Sequence, residues 1–172
     1  ACTSLIESEL ASEYNFIKID STVSSVPVPP IWVRFIYAIF RLMKFLFNII
    51  FKKVDGVLIF SSNSFSFIEK GLYVMIANAL FKKILFAPRS GLSLVDYKNS
   101  LFMRWYMKKV IRNATFILCQ GKFWINFYSK MDPMNSSKFI LMNNWIDPKL
   151  YGSVTYKNNN KNINLLYVGW LE

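Results

Sequence analysis

Short apolar runs alternate with longer mixed stretches through the middle of the chain, the rhythm of strands separated by helices. The runs are 54–60 (VDGVLIF), 83–87 (KILFA), 115–119 (TFILC) and 139–142 (FILM). A polar loop follows each one: Ser61 to Ser64, Pro88-Arg89-Ser90-Gly91, Gln120-Gly121 and Asn143 to Asp147. Between them the pattern predicts helices over 65–80, over about 98–112, and from Gly121 to near Lys130. The expected fold is therefore α/β, a Rossmann-like parallel sheet with helices on both faces. In such a sheet the working site is the crevice outside the strand ends.

The flanks are less regular. Residues 3–12 read as the end of a helix and Asn15 to Ile19 (NFIKI) as a strand closing at Asp20, before a loop over 21–30 that holds three prolines. Near the other end, 157–162 (KNNNKN) is a polar run without apolar anchors, and 163–168 (INLLYV) is a fresh strand. These features divide the chain into a domain over 1–150 that lacks its first strand, a linker over 151–162, and the opening strand of a second domain over 163–172. Both ends read as cut, since the chain begins Ala-Cys-Thr and stops at Gly169-Trp170-Leu171-Glu172.

Two helices carry more information than their spacing. The one over about 98–112 is two-sided: Arg104, Lys108, Lys109 and Arg112 share one arc, and Phe102, Met103, Tyr106, Met107, Val110 and Ile111 fill the other, which should cover the sheet. The stretch 31–53 (IWVRFIYAIFRLMKFLFNIIFKK) is apolar almost all round, with Arg34, Tyr37, Arg41, Lys44, Asn48 and Lys52 in one stripe. Its charges recur too regularly for a membrane span. One reading is an interfacial helix, with Trp32 in the acyl boundary and Arg34, Arg41 and Lys44 beside lipid phosphates. The other is a core helix whose second apolar face packs on a neighbouring element.

Composition sharpens the choice of partner. Hydrophobic residues make up 53% and aromatics 17% of the 172 residues, and Lys plus Arg outnumber Asp plus Glu by 21 to 10. Such a chain prefers an anion: nucleic acid, an acidic membrane surface or a phosphate-bearing substrate. No zinc-finger spacing, RNA-recognition motif or basic-region heptad is present, so nucleic acid is set aside, although stacking of single strands on the aromatics is a third possibility. Cys2 and Cys119 lie far apart, which suits a reducing compartment, and Cys119 reads as a buried strand residue.

Histidine is absent, which removes His-based triads and His metal ligands. No Walker loop, GxGxxG or GxSxG occurs, and no DxD-like acidic pair stands ready to hold a metal on a diphosphate. The strand-end loops remain. Arg89, flanked by Ser90 and Gly91, can grip a phosphate or sugar hydroxyls with a fixed fork, and Ser61 and Asn63 lie on the neighbouring loop. Arg89 in an ordinary turn capped by Gly91 is the plainer reading. Gly121, Asn144 and Asp147 are likewise either ligand contacts or turn formers.

The series VDGVLIF, KKILFAPRSG, ATFILCQG, KFILMNNWID and NINLLYVGWLE, in this order and at these intervals, resembles glycosyltransferase family 4, retaining enzymes of the GT-B fold. The resemblance runs from about Asn15 to the end. Asn144-Trp145-Ile146-Asp147 stands where that family closes its first domain, with Asn143 in place of a proline and Trp145 in place of a glycine. Gly169-Trp170 stands where the second domain opens, with Trp170 in place of an arginine. The resemblance implies two facing Rossmann-like domains. A nucleotide-sugar donor would be held near Gly169, and a lipid-linked or glycan acceptor by Arg89, Ser90, Gly91, Ser61 and Asn63. No cofactor and no metal are implied. Catalytic residues are expected beyond Glu172, so the parent enzyme, not this piece, would transfer the sugar. A cytoplasmic location on the inner membrane face follows from such an acceptor. A noncatalytic docking or assembly subunit with the same fold is the alternative.

Overall fold

Residues 10–21, 29–62 and 64–143 are described by the structure, a computed structural model. The linker, the strand expected over 163–168 and most of the helix expected over 3–12 lie outside them, and the described part of that helix is a single turn, α1 (Leu10–Glu13). From there the order is α2 (Ile31–Phe51), β1 (Gly56–Ser61), α3 (Ser64–Ala79), β2 (Lys83–Pro88), α4 (Ser93–Asn99), α5 (Leu101–Asn113), β3 (Phe116–Cys119), α6 (Lys122–Ser129), a 3-10 segment (Pro133–Lys138) and β4 (Phe139–Leu141).

The strands form one sheet in the order β1-β2-β3-β4, every pair parallel. The α/β reading with a helix-flanked parallel sheet therefore holds, with the crossover helices on one face of the sheet where both were expected. Ile59, Phe86, Ile117 and Phe139 stand in register across all four strands and are all buried. Each crossover moves on by one strand in the same sense, and right-handed connections of that kind place their helices on the same face. That face is the one carrying this row: Phe67 of α3 meets the Phe86 ring edge-on at 5.5 Å, and Tyr128 of α6 lies near Cys119. The alternate positions include Leu58, Leu85, Phe116 and Ile140, of which Phe116 and Ile140 keep substantial exposure.

Helix α3 is pressed against α5. A Cβ on Gly71 would stand 2.6 Å from Val110 Cγ2 and 2.8 Å from the Tyr106 ring, so the crossing needs a residue without a side chain. Tyr106 completes the joint by donating its hydroxyl to the Ile68 carbonyl at 2.7 Å. At the far end of α3 the amides of Phe81 and Lys82 close onto the carbonyls of Asn78 and Ala77, the Schellman pattern. Phe81 occupies the left-handed position there, with φ 55 and 97% exposure.

Two expectations are corrected. Residues 15–20 form no strand; only Ile19 packs on the core, and Lys18 and Asp20 pair in solvent at 3.7 Å. The helix expected over 98–112 is two helices, because Ser100 is extended and its Oγ accepts the Met103 amide at 3.2 Å, a cap that starts α5 anew. Arg104 then closes the end of α4 by donating to the carbonyls of Tyr97 and Lys98. Phe102, expected to face the sheet, is exposed and stacks on Tyr106 instead.

Candidate functional site

All four strands point the same way, so their carboxyl-end loops gather along one edge of the sheet. The ends of β1 and β2 are tied there by the Arg89 amide, which donates to the Ser61 carbonyl at 2.8 Å. This contact extends the β1–β2 ladder one step past Pro88, which has no amide to give. It sets the Arg89 guanidinium 4.9 Å from the centre of the Phe60 ring, a cation–π arrangement.

Beyond Arg89 the chain turns tightly into α4. Ser90 accepts twice, its Oγ from the Leu92 amide and its carbonyl from the Ser93 amide, both at 3.3 Å, and the Gly91 carbonyl accepts from Leu94 at 3.3 Å. Gly91 does not owe its place to backbone strain, since no described glycine has a positive φ. Gly121 is extended, at φ -173, and its carbonyl starts α6 by accepting from Trp124 and Ile125. A Cβ on either glycine would meet nothing within 4 Å, so both loops border open space.

The strained position at this edge is Ser64, with φ 49 at the start of α3. Asp96 of α4 holds it, accepting from its amide at 2.8 Å and its hydroxyl at 3.1 Å. A carboxylate at a helix N-terminus satisfies orphan amides and the helix dipole together. Sequence reasoning missed this pair. The partners are 32 residues apart, and neither sits in a spacing that marks it.

The predicted acceptor contacts thus divide. Arg89 and Ser90 lie half-buried at the edge, and Gly91 is exposed beside them. Ser61 is only 4% exposed; its carbonyl is used by Arg89 and its hydroxyl lies beneath the surface, so it supports the edge rather than lining it. Asn63, Gly169, Asn144 and Asp147 lie outside the described residues. Behind the edge, the Ser93 hydroxyl lies against the Tyr128 phenol, and burial pushes that phenol well above its ordinary range. Burial likewise raises the Cys119 thiol to about 12, which keeps it unreactive.

The residues predicted to meet lipid also divide. Trp32, Arg34 and Lys44 are exposed on α2, and Arg34 lies 5.9 Å over the Phe65 ring. Arg41, on the same arc, is drawn into the domain, where Glu69 of α3 takes both ends of its guanidinium. It is a clamp between helices and not a headgroup contact. Asn48 of the same stripe is also buried, its amide donating to the Lys44 carbonyl at 2.6 Å. Among the described residues no helix is long and apolar enough to cross a membrane, and no group of three or more His, Cys, Asp or Glu could hold a metal. Comparison with protein-family models, curated proteins and solved structures found no match to this chain.

Proposed function

We propose that this chain is the acceptor-side part of a retaining glycosyltransferase of the two-domain GT-B type. The parent enzyme would move a sugar from a nucleotide-sugar donor to a lipid-linked or polysaccharide acceptor in cell-surface polysaccharide synthesis. Such an acceptor puts the parent on the cytoplasmic face of the membrane. The observation that carries the reading is the junction at the ends of β1 and β2. There Arg89 stands on an open strand-end edge of an all-parallel sheet. A guanidinium so placed offers paired donors to a phosphate or to vicinal hydroxyls.

The chemistry asks little of this half beyond positioning. As the anomeric carbon leaves the nucleotide diphosphate and joins the acceptor oxygen, rate comes from holding the two in line and from cations facing the departing charge. The test is sugar transfer by the full-length gene product, with membranes as acceptor and a panel of radiolabelled nucleotide sugars. Incorporation of one sugar into lipid or glycan establishes the activity and identifies the donor. No incorporation from any donor by folded protein rejects the enzyme and leaves the noncatalytic subunit, a reading favoured by the exposed apolar surface of α2.

A further inference from the structure

Helix α2 wears its grease outward. Arg41, Phe45, Asn48 and Ile49 face α3, Arg41 through Glu69 and Phe45 through a stacked contact with Tyr73 at 4.7 Å. Nearly opposite, Trp32, Ile36, Phe40, Met43, Phe47 and Ile50 fall within roughly 80° of one another at about 100° per residue. All six are exposed, Phe40 at 68%. A surface helix ordinarily turns this stripe to the core. An uninterrupted exposed stripe five turns long marks a surface that meets something else.

Charge selects the occupant. Helix α2 carries no acidic residue; Lys44 is exposed on its flank, Lys52 and Lys53 are exposed just after its end, and Arg34 lies on the α3 side, over the Phe65 ring. Arg41, the cation that would have counted against burial, is neutralised inside the domain. Two-fold pairing of this face with a second copy would bring the same cations of two +11 chains together, whereas an anionic bilayer accepts stripe and flank at once.

Direction adds a further point. Arg34, Arg41 and Phe45 meet Phe65, Glu69 and Tyr73 in turn, so α2 runs parallel to α3. Helix α3 starts at the carboxyl ends of the strands, so the Trp32 end of α2 lies on the side of the strand-end loops.

We infer that α2 is an interfacial docking helix that lies in the surface of an anionic bilayer, with its Trp32 end beside the strand-end edge. The Arg41–Glu69 clamp and the Phe45–Tyr73 stack fix the helix to the domain, so docking sets the height of that edge over the headgroups. Only the meaning of that height rests on the transferase reading; the docking itself does not.

The test is flotation of the chain with vesicles of phosphatidylcholine alone and with added phosphatidylglycerol, in the absence of any sugar donor. The chain should float with the phosphatidylglycerol vesicles. Phe40→Glu with Phe47→Glu should lower partitioning more than about tenfold, and Lys44→Gln with Lys53→Gln should lower it about thirtyfold. Circular dichroism should be unchanged in both, since all four side chains are exposed. Failure of the folded chain to float, or variants that float as well as the parent, overturns the inference. So does a dimer in solution that Phe40→Glu with Phe47→Glu converts to monomer, which gives the face to a second copy. A negative transfer assay with flotation intact rejects the enzyme reading alone.

Discussion

Arg41 holds Glu69 by two contacts, Nε to Oε1 at 2.8 Å and Nη2 to Oε2 at 2.9 Å, across a joint where both side chains are largely buried. Tyr73 donates to the same carboxylate at 2.7 Å, and Lys70 stands 3.2 Å from it. With the buried Phe45 and Ile49, this cluster holds α2 to α3.

Removing one partner leaves the other charged and buried. Arg41→Leu and Glu69→Leu should each cost about 3 kcal/mol in urea unfolding. The double replacement should cost less than the sum by more than about 1 kcal/mol, the mark of direct coupling. Additive losses would show that the two side chains act separately.

Acid should loosen the same joint. Burial by itself raises the Glu69 carboxyl, but the hydrogen bonds from Arg41 and Tyr73 outweigh it and hold the group below its ordinary 4.5. Asp132 behaves alike: burial pushes up and Lys138 and Asn135 pull down further, below its ordinary 3.8. A carboxyl depressed by folding binds its proton more readily in the unfolded chain. Its contribution is complete at neutral pH and lost as pH falls below about 4.5. Urea midpoints should drop across that range, and Glu69→Gln should show a shallower drop. A midpoint independent of pH there would remove the electrostatic account.

Helix propensity and packing disagree at Gly71, and packing should win. Alanine is better than glycine in a free helix by about 1 kcal/mol, yet here its methyl would overlap Val110 and Tyr106. Gly71→Ala should therefore destabilise the fold by about 1 to 3 kcal/mol, the range for overfilling a core. A stabilised variant would mean that α3 and α5 can separate at no cost.

Phe81 presents the opposite case. It sits at the left-handed position of the α3 cap with its ring in water, so nothing offsets its backbone strain. Phe81→Gly should stabilise the chain by about 1 kcal/mol, read as a raised midpoint with unchanged cooperativity. A lowered midpoint would assign the ring a packing role.

The strands were legible because each is a short apolar run closed by a polar loop, the form that strands of a helix-covered parallel sheet take. What was not legible depends on distant partners. Periodicity sorts α2 into arcs but does not say which arc faces inward; Glu69, 28 residues on, decides that by drawing in Arg41. The same holds for Ser64, whose strained backbone is supported by Asp96 from another helix. The break before α5 rests on a single extended serine, which an averaged helical pattern passes over. Buried Lys138 is similar: it donates to the Ile111 carbonyl at 2.8 Å and to Asp132, closing the end of α5 from a segment that reads as plain loop.

Arg89 offers the sharpest test of the strand-end edge. Its backbone amide ties β1 to β2, a contact that Arg89→Ala keeps, and the ring contact with Phe60, one of the side chain's interactions, is worth about 0.5 to 1 kcal/mol. The variant should therefore stay folded, with only a small change in midpoint. If the guanidinium grips the acceptor through charge-assisted hydrogen bonds, its loss should lower kcat/KM for the acceptor tenfold or more, from about 1.5 to 3 kcal/mol of lost interaction. Arg89→Lys should recover only part of this, because an ammonium cannot reproduce the fork. With limiting acceptor and saturating donor, a normal rate for Arg89→Ala would return the side chain to a structural role on Phe60. It would also leave Ser90 and Gly91 as the half of the loop to test next.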